Sequence, residues 1–240
     1  GEFFIADPKL WSSDSPNLYR VKITVNGTVP DRVDSYFGIR EIELKEDGVY
    51  VNGRREFQQM ILDQGYWEDT MLTAPDEDAL EKDVKLIKRM GFNGVRKHQK
   101  VESGVFYYFC DLYGLYVWGE IPSPYAFDER MQEDYLRDGK DIVLQLRNHP
   151  SVICWLLFNE TWGVSEIKTD VNEQQFVERA YETVRALDSR PIITNDGWHH
   201  LNSDILSLHE YEQDPELFTK EYAEKDYVVS RKVINVNTYG

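Results

Sequence analysis

Glu160 is the residue whose setting points most directly to chemistry. It follows the apolar run Val152, Ile153, Cys154, Trp155, Leu156, Leu157 and Phe158, with one amide, Asn159, between. A carboxylate at the end of such a run is partly desolvated and lies among other acids, and both effects raise its pKa. A carboxylic acid kept protonated near neutrality is the group that protonates the leaving oxygen of a glycosidic bond. Read without catalysis, the same residue pairs with Arg96 and serves only the fold. Other polar groups recur at the ends of apolar runs. Asp63 is followed by Gln64, Tyr66 and Trp67; Arg96 by Lys97 and His98; Asn195 and Asp196 by Trp198, His199 and His200. Glu120 ends another run, and His209, Glu210 and Tyr211 end the last. Carboxylates, amides, imidazoles and indoles in one set suit a polyhydroxylated ligand, because hydroxyls take hydrogen bonds while a sugar's apolar face lies on an aromatic ring.

What must position these groups is an alternation of strands and helices beginning near Phe57. The runs 57–62, 92–95, 115–118, 152–158, 192–194 and 205–208 read as strands. Between the first two, Thr73 reads as a capping hydroxyl with Pro75 and Asp76 in the first turn. Leu80, Val84 and Ile87 then recur at helical spacing and Gly91 stops the helix. Val105, Phe106, Phe109, Cys110 and Tyr113 form a second helical face, ended by Gly114. A charged helical stretch covers 128–147, Phe176, Ala180, Val184 and Leu187 mark another helix, and a last one runs from about 215 to 223. Doubly apolar strands alternating with helices imply a parallel sheet covered on both faces. Ligands then meet the C-terminal strand ends, where the polar groups above lie. Six such units fit either a doubly wound sheet or a (β/α)8 barrel. A full barrel takes roughly 250 residues, so a barrel here lacks one or two units at its C-terminus. No glycine-rich phosphate loop follows any strand, which argues against a nucleotide-binding sheet.

Before residue 57 the chain reads as β. Leu18, Val21, Ile23 and Val25 belong to one strand, ended by the Asn26-Gly27 turn; residues 36–44 form another; Asp47-Gly48 and Asn52-Gly53 punctuate a short hairpin. About 45 residues of strand cannot close a sandwich, so residues 1–45 read as the last strands of a β-sandwich domain and residues 46–240 as a C-terminally incomplete α/β barrel. The chain opens without Met and stops at Gly240, and both ends read as cut. They therefore carry no information on compartment, which is left open with a slight lean to the cytoplasm.

Composition removes other classes. The 240 residues carry 27 Lys and Arg against 43 Asp and Glu, a formal net charge of -16. Nucleic acid and anionic membranes need a positive face, so neither is an expected partner. No apolar run approaches the roughly 18 residues of a membrane span. Two cysteines exclude a disulfide scaffold and a Cys-rich zinc site. Cys110 and Cys154 read as small buried hydrophobes, and His149, before Pro150, as a structural turn residue. His199 and His200, adjacent on a loop, make a poor metal pair. The triplet Asn26-Gly27-Thr28 matches a glycosylation acceptor at chance frequency, and the acids of 76–83 read as a solvated helix face.

The stretch from Asn148-His149-Pro150 to Asn159-Glu160 resembles the acid/base signature of glycoside hydrolase family two, which includes β-galactosidases, β-glucuronidases and β-mannosidases. Leu10-Trp11-Ser12 with Pro16-Asn17-Leu18-Tyr19 resembles the last strands of that family's immunoglobulin-like domain. Phe37-Gly38-Ile39-Arg40 resembles the segment leading out of it. Asn52-Gly53, then Gly91 to Arg96, then Asp111 to Glu120, resemble the hairpin before the barrel and the second and third barrel strands. The resemblance covers nearly the whole chain and implies a TIM barrel that hydrolyses terminal β-glycosidic bonds by a retaining mechanism. It implies Glu160 as general acid/base and Asn159 as the partner of the sugar 2-hydroxyl. It places Arg96 and His98 in the floor of the site, and Tyr211 as the tyrosine beside the nucleophile, with His209 its neighbour. Asp63, Trp67, Trp162 and Trp198 are placed in the sugar pocket more by rim position than by motif.

Three departures matter. The family has one more residue between the matched Arg and His. Glu120 is followed by Ile121-Pro122 without the histidine that completes a magnesium site in some members, so no metal and no cofactor are expected. The nucleophile's Glu-aromatic-Gly-Gly strand end is absent. Either it lies beyond Gly240, which is the favoured expectation, or Thr238 stands in its place. In the second case the chain would be a non-catalytic sugar-binding or scaffold member of the fold. Under both, these 240 residues alone are expected to have little activity, and an unclosed barrel to be aggregation-prone. The ligand expected is a β-glycoside or oligosaccharide, with a weak lean to galactose from the segment 63–67, and a homo-oligomer is compatible with the sequence.

Overall fold

The computed structural model describes residues 4–224 and 228. The chain divides into two compact units, residues 1–119 with 144–153, and residues 120–143 with 154–240. In the first, β1 (Tyr19–Val25) and β2 (Asp31–Phe37) form an antiparallel ribbon in register from Tyr19↔Phe37 to Val25↔Asp31. A three-stranded antiparallel sheet follows: β3 (Ile42–Lys45), β4 (Gly48–Val51) and β5 (Arg54–Glu56). The first parallel strands are β6 (Met60–Asp63), β7 (Gly94–Lys97) and β8 (Tyr116–Glu120), connected through α1 (Glu77–Arg89) and α2 (Gly104–Tyr113).

The second unit holds most of α3 (Glu129–Leu146) and of β9 (Val152–Asn159), then α4 (Val171–Arg185), β10 (Ile192–Asp196) and α5 (Pro215–Tyr222). The parallel strands lie in the order β6-β7-β8-β9-β10. Each strand lies beside the next in sequence, with no reversal. A doubly wound sheet reverses at a switch point, so this is the succession of a (β/α) barrel, five strands of which are described.

The run 205–208 is not a strand. Its polar neighbours divert the backbone: the Ser207 hydroxyl accepts from the Gly197 N–H at 2.9 Å, and the Ser203 hydroxyl donates to the Ile205 carbonyl at 2.7 Å. Side chains thus take hydrogen bonds that a ladder would need. The helix predicted from Thr73 is capped instead by Asp76, whose Oδ1 accepts from the Ala79 N–H at 2.7 Å. The run 36–44 is divided into β2 and β3. Between them Gly38 lies against Pro150, leaving no room for a Cβ, and Arg40 donates to the carbonyls of Pro150 and Val152.

Within the first unit the N-terminal segment is built into the barrel strands. The buried Trp11 packs with Val51, Tyr116 and Ile153 and donates its indole N–H to the Asp111 carbonyl at 2.7 Å. Gly114 ends α2 at φ 71°, and a Cβ there would fall 2.3 Å from the Ser13 carbonyl oxygen. Asp111, fully buried, accepts from the Ser151 N–H (2.9 Å) and the Tyr36 hydroxyl (2.8 Å), and lies 2.6 Å from His149 Nδ1. Burial, and then Asp111, push the Tyr36 hydroxyl pKa up. His149 is thus a structural residue.

In the second unit β9 is buried along its whole length. Its Phe158 stacks on Tyr135 of α3 at 4.8 Å and meets Phe176 of α4 edge-on at 5.8 Å. Cys110 and Cys154 are both buried, and burial raises their thiol pKa, which disfavours the thiolate. Asp111→Ala leaves the Ser151 amide and the Tyr36 hydroxyl without their acceptor. It should lower the unfolding free energy by about 3 kcal/mol in urea titrations; a loss within 0.5 kcal/mol would show the network to be dispensable.

Candidate active site

The end of β9 is where the second unit assembles its polar cluster. Glu160 and Thr161 both take left-handed backbone, φ 49° and 65°, uncommon for residues with a Cβ. The turn is held from β10: the Glu160 N–H donates to the Asp196 carbonyl at 3.0 Å and the Thr161 N–H to Asn195 Oδ1 at 2.9 Å. The Asn159 N–H donates to the Ser123 hydroxyl at 3.1 Å. The reversal turns Glu160 out of the buried strand, leaving its side chain 22% exposed.

His209 lies between two carboxylates. Its Nδ1 is 2.6 Å from Glu160 Oε1 and its Nε2 is 3.2 Å from Asp196 Oδ2. The Tyr211 hydroxyl donates to the same Glu160 oxygen. The imidazole reaches this position by lying on Gly197, where a Cβ would fall 2.1 Å from its Cγ. Trp198 completes the group, 6.2 Å from the His209 ring and 6.4 Å from the Tyr211 ring. Of the predicted residues, then, Glu160, Trp198, His209 and Tyr211 are brought together, with Asn159 next in chain. Trp162 is in the same turn but pairs with Tyr125.

His199 and His200 point elsewhere. Both are buried, and His200 Nε2 lies 3.1 Å from the Ser207 carbonyl oxygen. Burial, with Lys168 and His200 adding to it, lowers the His199 pKa from 6.5 to about 4, and burial lowers that of His200. Among the described residues no group of three or more His, Cys, Asp or Glu side chains is arranged to hold a metal ion.

The remaining predicted residues lie at strand ends of the first unit. Arg96, buried in β7, reaches His98 Nδ1 at 3.1 Å. Asp63, last in β6, accepts from the Lys97 ammonium at 2.8 Å and from the Gly65 N–H at 2.7 Å. Lys97 is fully buried, 3.0 Å from Glu102, which also meets Lys100 at 3.0 Å. Lys100 in turn donates to the Gly65 and Leu72 carbonyls. Trp67 lies on the loop these charges secure. Burial, then the nearby Asp63, raise the pKa of Asp83. Asp196 and Lys97 stand among the polar strand ends of the sequence reading but were given no role there; Glu102 and Tyr125 lie in loops and carry no such signal.

Comparison with known proteins agrees with the barrel fold. Residues 42–235 match the family model described as glycosyl hydrolases family 2, TIM barrel domain, and residues 2–40 the model described as glycosyl hydrolases family 2. A putative β-glucuronidase of Formosa agariphila is 33% identical over 173 residues, 68% of this chain and 20% of that protein. A β-galactosidase of Lactococcus lactis is 30% identical over 176 residues, 67% of this chain and 17% of that protein. The chain thus spans about a fifth of the length of these curated relatives. Among solved structures, Bacteroides uniformis β-glucuronidase 3 is similar with TM-score 0.70 and 29% identity, over 77% of this chain and 24% of that one. Parabacteroides merdae β-glucuronidase gives TM-score 0.71 and 27% identity, over 78% and 24%.

The His199 shift has a definite sign. Folding holds the imidazole neutral, so the unfolded chain binds the extra proton first as pH falls. The contribution is present above the unfolded pKa near 6.5 and is lost as pH falls toward about 4. His199→Leu should flatten the fall in Tm between pH 6.5 and 4 measured by calorimetry. An unaltered slope would show that His199 is not held neutral.

Proposed function

From the premise that this chain belongs to glycoside hydrolase family 2, we propose that it is the acid/base-bearing part of a retaining β-glycosidase acting on terminal β-galactosides. The observation that carries the reading is the Glu160 carboxylate turned out of β9, with His209 and Tyr211 on one of its oxygens. The names of similar proteins support a second substrate class, β-glucuronides.

In this reading Glu160 gives its proton to the glycosidic oxygen as the bond breaks, and later takes one from the water that releases the sugar. His209 fits that cycle chemically. With Nε2–H facing Asp196, its Nδ1 can accept from a protonated Glu160; once Glu160 has given its proton to the glycosidic oxygen, a proton taken up from solvent would make an imidazolium that donates to both carboxylates. Asn159 would bond the 2-hydroxyl, an interaction that strengthens as positive charge develops on the ring. Arg96 and His98 would floor the site, and Asp63, Trp67, Trp162, Trp198 and Tyr211 would shape it. The nucleophile is proposed to come from a strand beyond this chain, about 5 Å from Glu160 as retention requires. The alternative at Thr238 lies outside the described residues. Residues 1–45 are proposed as the tail of an immunoglobulin-like domain, and 46–240 as barrel.

The test uses the longest native polypeptide that includes this chain. Glu160→Gln should lower kcat/KM on phenyl β-galactoside, or on the glucuronide, by about 10²–10⁴-fold. Added azide should restore turnover with the β-glycosyl azide as product. A variant as active as the wild type would sink the assignment. A covalent adduct with a 2-fluoro sugar on the wild-type protein would identify the nucleophile.

A further inference from the structure

We propose that Tyr125 and Trp162 form the subsite for the leaving group, an uncharged aryl ring or single sugar, of the bond that Glu160 protonates; the inference rests on the reading of Glu160 above. The two rings meet edge to face, centroids 5.4 Å apart and planes at 90°. Both are large aromatics left open to solvent, Tyr125 84% exposed and Trp162 51%. Neither exposure fits a core role. With Glu160, Thr161, Gly163 and Ser165 they line a cavity of about 320 Å³. That is the low end of ligand sites, room for one ring and not for a chain. Among the described residues that line it, Glu160 is the only charged one, so it favours an uncharged guest, and the aromatic faces suit an aryl ring or the apolar face of a sugar.

The pair is also held in place. The Trp162 backbone N–H donates to the Asn159 carbonyl at 2.9 Å. Gly163, at φ 78°, lies so close to Pro124 that a Cβ would sit 2.6 Å from its carbonyl oxygen. The turn after β9 is therefore seated on the segment that carries Tyr125. Neither His209 nor Tyr211 lines this cavity. Glu160 thus has two aromatic neighbourhoods: Trp198 and Tyr211 with His209 in one, Tyr125 and Trp162 in the other. An acid that cleaves a glycosidic bond needs this division, because its proton goes to the atom joining the retained sugar to the departing group.

The experiment compares two leaving groups on the longest native polypeptide that includes this chain. Phenyl β-galactoside carries a ring for the platform, and β-galactosyl fluoride carries none; the glucuronyl pair is run in parallel. Tyr125→Ala should lower the ratio of kcat/KM on the phenyl substrate to that on the fluoride by about ten-fold. Tyr125→Phe, which keeps the ring, should leave that ratio at the wild-type value. An unchanged ratio in Tyr125→Ala, whether both rates fall together or neither falls, overturns the subsite alone. Failure of the wild-type protein to process either substrate overturns the catalytic reading and this subsite with it.

Discussion

The left-handed turn at Glu160 and Thr161 is the constraint on which the second unit depends. A strand buried on both faces has no polar face to offer, so a carboxylate becomes usable only where the backbone reverses. Two successive residues with a Cβ at positive φ are unfavourable by about 1–2 kcal/mol each. The end of β10 offsets this through the Asp196 carbonyl and the Asn195 amide, and Trp162 closes the turn on Asn159. One reversal therefore aims Glu160, seats Gly163 on Pro124 and sets Trp162 beside Tyr125. Its rigidity comes from behind, where Phe158, Tyr135 and Phe176 pack as one aromatic block.

The same turn explains why His209 is where it is. Asp196 is 4% exposed at the end of a buried strand, and a carboxylate removed from water needs a hydrogen-bonded partner. His209 supplies one with its Nε2 and uses Nδ1 for Glu160. This demands that an imidazole lie flat against the backbone, and glycine at position 197 is what permits it. Structural and chemical demands on Asp196 are thus met by one ring.

Much of this was readable from residue order, and the failures have physical causes. β9 and Glu160 stood out because an unbroken apolar run ending in Asn-Glu has few interpretations. The helices α1 and α2 followed from the spacing of Leu80, Val84 and Ile87 and from Gly114. Periodicity could not choose between a barrel and a doubly wound sheet, because both use the same strands and differ only in neighbour order. The run 205–208 has strand composition but gives its backbone to Ser203, Ser207 and His200, a competition among serines that hydrophobicity does not register. Lys97 was read only as a strand-end residue and Glu102 not at all, for the opposite reason: charged residues are expected outside, and these two are buried because they pair. Tyr125 carries no signal in its neighbours at all; it matters through Trp162, distant in sequence.

Burial separates the polar residues that hold the fold from those left open to solvent. Among the described residues every parallel-strand end but one carries a carboxylate at or just after it, and the four are set apart by exposure and partners. Glu120 is 1% exposed and Asp196 4%, too enclosed to meet a substrate oxygen. Asp63, at 15%, has its two oxygens on Lys97 and Gly65. Glu160, at 22%, is the most open of the four, and its described side-chain partners, an imidazole and a phenol, are themselves able to pass or accept a proton. An ammonium can only donate to its carboxylate, whereas an imidazole can also accept from one. That difference in partners, more than the motif that contains it, is the physical reason to look for the chemistry at Glu160.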